Sequence, residues 1–337
     1  MCQPEPVVPA PTLDVLLHHE AGPAVLALLD HHASARAAVP APGSGPAPLR
    51  VQVRVCGVDD RDAFLAAVSG ADVLLHVLDP VTEEVLAAAP RLRLVQKLGV
   101  GVNTIDLESC RARGVAVCNM PGTNAPAVAE ATLLLMLACL RRLPDWHART
   151  SRGHGWPTDP ALADRMGELA GRSVGLVGYG DIARRLEPVL VALGATVVHH
   201  ARRADRPGWR PLDELLATVD VVSLHLPLTE ETEGLLGRRR LGLLRPGAVL
   251  VNTARGGVVD QAALVEALAS GRLAAAGLDV FAREPLDRSD PLLGLENVVL
   301  MPHVAWLTNG TMARCFDVAF DNVGRLAAGQ PLLHRVV

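Results

Sequence analysis

The stretch Ser173-Val-Gly-Leu-Val-Gly-Tyr-Gly-Asp-Ile-Ala183 lies at mid-chain, and the rest of the sequence can be ordered around it. An apolar run (Val174, Leu176, Val177) leads into Gly178-x-Gly180-x-x-Ala183, and a helix-like segment follows to about Gly194. A strand that feeds a glycine turn and a helix N-terminus is the dinucleotide-binding fingerprint. Gly178 permits the tight turn, Gly180 lets backbone approach a pyrophosphate, and the small Ala183 allows close helix–strand packing. The helix start supplies free N–H groups and the positive end of a dipole. Tyr179, Asp181 and Ile182 complete the turn and join the two glycines as expected cofactor-binding positions. The fingerprint starts so late that a substantial domain must precede it.

Downstream, hydrophobic periodicity predicts strands at 196–200, 220–224, 248–252, 274–278 and 297–300. Helices are expected between them at 212–218, 238–244 and 261–270. Together with the fingerprint strand they make a six-stranded doubly wound sheet. Upstream, strands at 13–18, 49–56, 73–78, 92–98 and 115–118 alternate with helices at 21–31, 60–68, 82–89 and 107–113. That spacing predicts a second parallel α/β sheet. Thr82 is expected to cap its helix. A long apolar helix at 125–142 reads as a bridge between domains; its length and Glu130 favour a buried helix over a membrane one. A polar Gly/Pro/Trp loop is expected at 149–160, and an amphipathic helix at 311–328. Residues 1–12 form a proline-rich lead expected to be disordered, and 40–48 a Pro/Gly/Ala loop.

The chain has 337 residues, half of them hydrophobic and 20% charged, with a formal net charge of −4. That length accommodates two domains with separate cores. The slightly acidic balance argues against a nucleic-acid surface, which needs a basic stripe. No run reaches the roughly 18 uncharged apolar residues of a membrane span. The first residues lack a basic segment and carry prolines, so no signal peptide is expected. Six cysteines at 2, 56, 110, 118, 139 and 315 show no CxxC or paired framework, which suits a reducing cytoplasm. Histidine doublets at 18–19, 31–32 and 199–200 make poor chelates, because neighbouring strand residues face opposite ways. No metal is expected.

Three short motifs follow the fingerprint, each where a strand of the second sheet ends, and doubly wound sheets place ligands there. In Val251-Asn-Thr-Ala-Arg255-Gly-Gly, the arginine either forks two oxygens of a planar acid or caps a helix at the surface. Gly277-Leu-Asp279-Val-Phe-Ala-Arg-Glu284-Pro supplies carboxylates, and Met301-Pro-His303-Val-Ala-Trp306 supplies an imidazole. A histidine is the natural proton donor near neutral pH, and a carboxylate against it fixes its tautomer. Singly, a histidine or glutamate after a strand reads as structural. Arg255, Glu284 and His303 jointly, behind a nucleotide turn, suggest carbonyl reduction.

From about residue 50 to 330 the sequence resembles the D-isomer-specific 2-hydroxyacid dehydrogenase family, in the manner of its phosphoglycerate dehydrogenase and glyoxylate/hydroxypyruvate reductase branches. Gly178-x-Gly180, His225-Leu-Pro-Leu-Thr229, Asn252-Thr-Ala-Arg-Gly256, Asp279-Val-Phe-x-x-Glu-Pro285 and Pro302-His303-x-Ala305 stand in the family's order and spacing. The resemblance implies two Rossmann-like domains. A nucleotide-binding domain (119–302) would be inserted in a flavodoxin-like substrate domain made of 1–118 and 303–337, with the active site in the cleft between them. It further implies that His303 is the acid/base, that Glu284 pairs with it, and that Arg255 holds the carboxylate and carbonyl of a small 2-oxo acid. Asp279 would lie near the nicotinamide. Leu226, Pro227, Thr232, Thr253 and Ala254 are carried over as cofactor-binding positions, with His303 at the nicotinamide end. The enzyme would move hydride between a nicotinamide and C2 of a 2-oxo or 2-hydroxy acid. A homodimer through the nucleotide domain would be usual for the family. A non-enzymatic NAD(H)-sensing corepressor on the same fold is the alternative.

Two positions depart from the family pattern. NAD-using members end the second nucleotide-domain strand on an acidic residue, whereas here the count from Ala183 reaches Ala201-Arg202-Arg203. Guanidiniums match a 2′-phosphate bidentately, so NADP(H) is expected to be preferred over NAD(H), with Asp205 softening the preference. Lys97, the only lysine, opens Lys97-Leu-Gly-Val-Gly-Val-Asn103. This loop resembles the family's glycine-containing substrate loop, whose N–H groups at Val100 and Gly101 would receive the carboxylate. Lys97 then reads either as a contact for a second anionic group or as an ordinary surface lysine. The end at Val337 implies no C-terminal regulatory domain of the kind many phosphoglycerate dehydrogenases carry.

Overall fold

In the computed structural model, which describes residues 12–37, 49–156 and 160–337, the chain forms two parallel sheets. It divides into two compact units, Met1–Asn124 with Thr308–Val337, and Ala125–Leu307. Chain order in the first unit is β1 (Thr12–His18), α1 (Pro23–Ala37), β2 (Arg50–Cys56), α2 (Arg61–Val68), β3 (Val73–His76), α3 (Glu83–Ala88), β4 (Leu94–Lys97), α4 (Leu107–Ala112) and β5 (Ala116–Cys118). The second unit holds α5 (Ala125–Leu140), α6 (Leu143–Ser151), α7 (Pro160–Ala163), β6 (Ser173–Val177), α8 (Asp181–Ala192), β7 (Thr196–His200), α9 (Leu212–Thr218), β8 (Val221–Leu224), α10 (Arg238–Leu241), β9 (Ala248–Asn252), α11 (Gln261–Ala269), β10 (Leu273–Leu278) and β11 (Val298–Leu300). The chain then returns to the first unit as α12 (Asn309–Ala327).

The first sheet has the order β2-β1-β3-β4-β5, with every pairing parallel. Strands β3 and β4 are buried along their whole length, as strands of a parallel sheet covered on both faces should be, although their ends bury His76, Gln96 and Lys97. Their packing partners include Leu16, Phe64, Val85 and Val117. Helix α12 is joined to this sheet by a buried hydrogen bond of 2.7 Å from Asn322 Nδ2 to Gln96 Oε1. Asp60 caps α2 and Asp106 caps α4, each accepting from the N–H three residues on. Thr82 occupies the cap position of α3, but its side chain makes no capping hydrogen bond. There Glu83 and Glu84 in the first turn complement the helix dipole instead.

In the second unit the apolar helix ends earlier than its composition suggests. α5 stops at Leu140, and Arg142 takes a left-handed conformation (φ +54°) from which α6 starts with Pro144 in its first turn. Proline is preorganised for that position. The polar loop expected at 149–160 is therefore helical up to Ser151 and again from Pro160. No helix among the described residues is long and apolar enough to cross a membrane. The expected loop at 40–48 and the proline-rich lead, apart from Thr12, lie outside the described residues.

The six strands of this unit are all parallel, in the order β11-β10-β9-β8-β6-β7. From β6 the chain passes to β7 on one side and then to β8 on the other. That reversal puts a crevice at the carboxyl ends of β6 and β8. Leu135 and Cys139 of α5, with Leu186 and Leu190 of α8, cover one face of the sheet. Leu215 and Leu216 of α9, with Leu264 and Leu268 of α11, cover the other. Each fully buried leucine contributes about 1.5–3 kcal/mol of transfer free energy. The rigid platform presents every loop that follows a strand on one edge.

Candidate active site

The turn after β6 is closed by the Gly178 N–H, which donates to His200 O over 2.8 Å. Gly178 has φ +94°, and a Cβ there would lie 2.4 Å from the His225 carbonyl oxygen. Only glycine fits. Gly180 is the N-cap of α8, makes no side-chain cap, and faces open space where a Cβ would stand. The first N–H groups of α8 are therefore left without a side-chain acceptor on an accessible surface, which fits a dinucleotide pyrophosphate. Asp181 is the first helical residue and is exposed, while Ile182 packs against the unit's core. Tyr179 stacks on His199 with ring centroids 4.0 Å apart and hydrogen-bonds Glu187.

Across the crevice, Leu226 and Pro227 follow β8. The Thr232 hydroxyl donates to Pro227 O (2.7 Å) and accepts from Thr229 N–H (2.8 Å), closing that turn. After β9, Thr253 is buried and shares a 2.8 Å hydrogen bond with Thr132 of α5. The Asn252 side chain accepts from Ala254 N–H and donates to Arg255 O, so the loop carrying Arg255 is held from both sides.

Strands β10 and β11 pair with Leu278 opposite Leu300, and this register brings the second and third motifs together. The His303 N–H donates to Asp279 O over 2.8 Å. Asp279 is buried, and its two carboxylate oxygens accept from Val304 N–H (2.8 Å) and Ala305 N–H (3.0 Å). Burial pushes its carboxyl pKa up, outweighing the two N–H donors and the charge of His303, which pull it down. In this structure Asp279 braces the turn that presents His303. That turn is strained, since His303 has φ +58°.

His303 Nδ1 donates to Glu284 Oε2 over 2.7 Å, and Glu284 Oε1 accepts from Phe281 N–H at 2.9 Å. With the carboxylate accepting at Nδ1, Nε2 is left without a hydrogen-bond partner among the described residues. Burial pushes the Glu284 carboxyl up, but the hydrogen bonds from His303 and Phe281, with the charges of His303 and Arg255, hold it below its ordinary value. It therefore stays a carboxylate at neutral pH. Burial lowers the pKa of the Arg255 guanidinium, opposed by the charge of Glu284. Arg255 Nη1 donates to Ala254 O at 2.6 Å. An arginine, a carboxylate and a histidine thus converge within one unit from the ends of β9, β10 and β11.

What joins the arginine loop to the glutamate loop is Gly256, which sequence reasoning treated only as part of a motif. A Cβ on Gly256 would stand 1.8 Å from the Phe281 carbonyl carbon. The two backbones touch, and nothing local in the sequence signals this contact.

Lys97 lies in the other unit at the end of β4, and it is not a surface lysine. It is 7% exposed, and its ammonium donates to the Val77 carbonyl. The neighbouring His76 is also buried, and burial together with the charge of Lys97 lowers its pKa to about 3. The following loop is fastened by Met120 N–H to Gly99 O (2.8 Å) and by Asn119 Nδ2 to Val100 O (2.9 Å). Val100 is 43% exposed and Gly101 half-buried. Arg202 and Arg203 are exposed just past β7, each without a hydrogen-bond or ion-pair partner among the described residues. No group of metal-ligating side chains occurs among the described residues.

Residues 133–305 match the NAD binding domain of the D-isomer specific 2-hydroxyacid dehydrogenases. The chain is 42% identical over 289 residues to a D-3-phosphoglycerate dehydrogenase of Mycobacterium tuberculosis (strain ATCC 25618 / H37Rv), a match covering 83% of this chain and 54% of that protein. The chain therefore spans about half the length of that relative. It is 38% identical over 287 residues to a glyoxylate reductase of Aeropyrum pernix, covering 80% of this chain and 84% of that one. Among solved structures it superposes on the TT0316 protein of Thermus thermophilus with a TM-score of 0.82 and 37% identity, covering 96% of this chain and all of the other. With the β6–α8 turn and the histidine–glutamate pair in place, the chain belongs to the D-isomer specific 2-hydroxyacid dehydrogenase family.

Proposed function

We propose that the protein is a nicotinamide-dependent reductase of small 2-oxo acids, working reversibly on the matching 2-hydroxy acids. The observation that carries this is the His303–Glu284 pair, with the charge of Arg255 acting on Glu284, in a unit built on a dinucleotide turn. When bound, the nicotinamide supplies or accepts hydride at C2. His303 Nε2 gives a proton to the C2 oxygen as negative charge builds there, and takes it back in the oxidative direction. Glu284 stabilises the imidazolium that donates. Arg255 orients the substrate carboxylate and polarises the carbonyl. The unit Ala125–Leu307 holds the coenzyme in this reading, and the other unit, with the N–H groups at Val100 and Gly101, holds the acid.

Purified protein is expected to oxidise NADPH in the presence of one or more of glyoxylate, hydroxypyruvate and other 2-oxo acids, followed by absorbance. Coenzyme binding with no turnover on any member of the panel would favour the non-enzymatic alternative.

NADP(H) is the preferred coenzyme in this reading, on the strength of Arg202 and Arg203 where a ribose-binding acid would otherwise stand. The kcat/KM for NADPH is expected to exceed that for NADH, and the reverse order sinks the assignment. Lys97 favours substrates with a second anionic group. Its buried ammonium is one charge in a nearly dry setting, where electrostatic interactions are stronger than in water. Lys97→Met should lose activity selectively on dianionic members of the panel, and an unchanged substrate ranking removes the role. A homodimer through the 125–307 unit is the proposed assembly. Leu134, Leu143 and Trp156 are 52%, 53% and 85% exposed there, and sedimentation at the monomer mass would refute it.

A further inference from the structure

Beyond β7 the chain makes a short loop, 201–208, that is fastened to itself and to the strand. His199 N–H donates to Gly208 O (2.9 Å), Arg210 N–H to His199 O (2.8 Å), and Trp209 Nε1 to Ala201 O (2.9 Å). The loop carries three arginines, Arg202, Arg203 and Arg206, against one carboxylate, Asp205. Arg206, which the sequence reading passed over, is exposed and has no ion pair among the described residues. Its guanidinium carbon lies 5.7 Å from the ring centroid of Tyr179, the residue between the two fingerprint glycines. Arg184, from the first turns of α8, approaches the same ring at 5.9 Å.

Tyr179 is the only tyrosine in the chain, and it is held at three points. Its ring lies on His199 at 4.0 Å, its hydroxyl bonds Glu187, and the two guanidiniums sit within cation–π reach. His199 is 1% exposed, and neither ring nitrogen has a hydrogen-bond partner among the described residues. A histidine buried in that way serves as a flat apolar support and contributes no charge. The arrangement commits packing and two cation–π contacts to fixing one arginine beside the dinucleotide turn.

We propose that Arg206, held in position by Tyr179, is a coenzyme-discriminating residue that binds the adenosine 2′-phosphate together with Arg202 and Arg203. This rests on the NADP(H) reading above and deepens it. A 2′-phosphate carries close to two negative charges, and two of its oxygens can accept the paired N–H groups of a planar guanidinium fork. A loop tied at both ends loses little further entropy when its arginines close on the phosphate. Tyr179 acts as a positioning residue: it keeps Arg206 from extending into solvent, where a free arginine would have to be ordered on binding.

Arg206→Met is the direct test, read as steady-state kinetics with both coenzymes. The kcat/KM for NADPH is expected to fall by about tenfold to a hundredfold, the size of one lost charge-assisted hydrogen bond. The loss should lie in KM, with kcat unchanged, because the nicotinamide end is distant along the coenzyme, and kcat/KM for NADH should not move. Tyr179→Leu, itself in the dinucleotide turn, should weaken both coenzymes but NADPH more than NADH, and Tyr179→Phe, which keeps the ring, should retain most of the NADPH affinity. Equal losses with both coenzymes would put Arg206 on the adenine and overturn the proposal, as would NADPH affinity retained in Arg206→Met. A wild-type preference for NADH refutes the coenzyme reading instead. Even then, loss of the weaker NADPH binding in Arg206→Met would uphold the contact.

Discussion

Replacing His303 should lower kcat for 2-oxo acid reduction by about 10²- to 10⁴-fold, the usual worth of a positioned general acid. Coenzyme binding, measured by fluorescence titration, should survive. The choice of substitution matters because His303 has φ +58°, a conformation in which alanine is strained by roughly 1–2 kcal/mol while asparagine is tolerated. His303→Asn therefore keeps the turn on Asp279 while removing the proton and the imidazole partner of Glu284, whereas His303→Ala removes these and strains the turn as well. If the two variants are equally inactive although the alanine variant is the less stable, loss of the imidazole and not strain of the turn accounts for the effect. Near-normal turnover in His303→Asn would end the acid/base assignment. Glu284 sets the accompanying pH dependence. Its folded pKa is lowered, so the pair's contribution to stability is fully present above the ordinary glutamate value, about 4.3, and is lost as the pH falls through the lower folded value. Glu284→Gln removes the counter-charge to the imidazolium, and the alkaline limb of the reduction profile should move to lower pH. An unshifted profile would mean the pair is only structural.

The elements that were legible in the sequence are those whose causes are local. Gly178 is glycine because of its own backbone angle and the carbonyl of His225 pressed against it, and such demands produce a motif within a few residues. The buried strands β3, β8 and β9 announce themselves as largely apolar runs because helices cover both faces, whereas β4 is equally buried yet ends on Gln96 and Lys97. The features that stayed illegible depend on partners far along the chain. Nothing near Lys97 indicates that its ammonium is buried against Val77, twenty residues earlier. Arg206 looks like any loop arginine until Tyr179 is folded against His199. Helix α6, absent from the sequence-based expectation, begins with Pro144 in its first turn once Arg142 turns left-handed. The pairing of His303 with Glu284, 19 residues earlier, is different: the resemblance implied it, but its structural cause, the pairing of β10 with β11, is visible only in the fold.

Gly256→Ala tests the contact on which the site's assembly depends, and a large loss from one methyl group is expected. The added Cβ would stand 1.8 Å from the Phe281 carbonyl carbon and 1.9 Å from its oxygen. Both are backbone atoms, so no rotamer change relieves the clash, and one of the two loops must shift. Overpacking of this kind costs about 1–3 kcal/mol, and in a domain of this size each kcal/mol lowers Tm by roughly 2–4 °C. The catalytic cost should be larger. Arg255 precedes the glycine, and Phe281 N–H is the donor that fixes one oxygen of Glu284. Pushing the loops apart separates the guanidinium from the carboxylate that partners His303. Displacements of about 1 Å can cost on the order of a hundredfold in rate. Gly180→Ala is the matched control, since a Cβ there meets nothing within 4 Å. It should leave Tm unchanged and raise KM for the coenzyme alone, where the methyl group stands in the path of the pyrophosphate. Should Gly256→Ala keep both its Tm and its turnover, the close approach of the two loops is not what holds Arg255 beside Glu284.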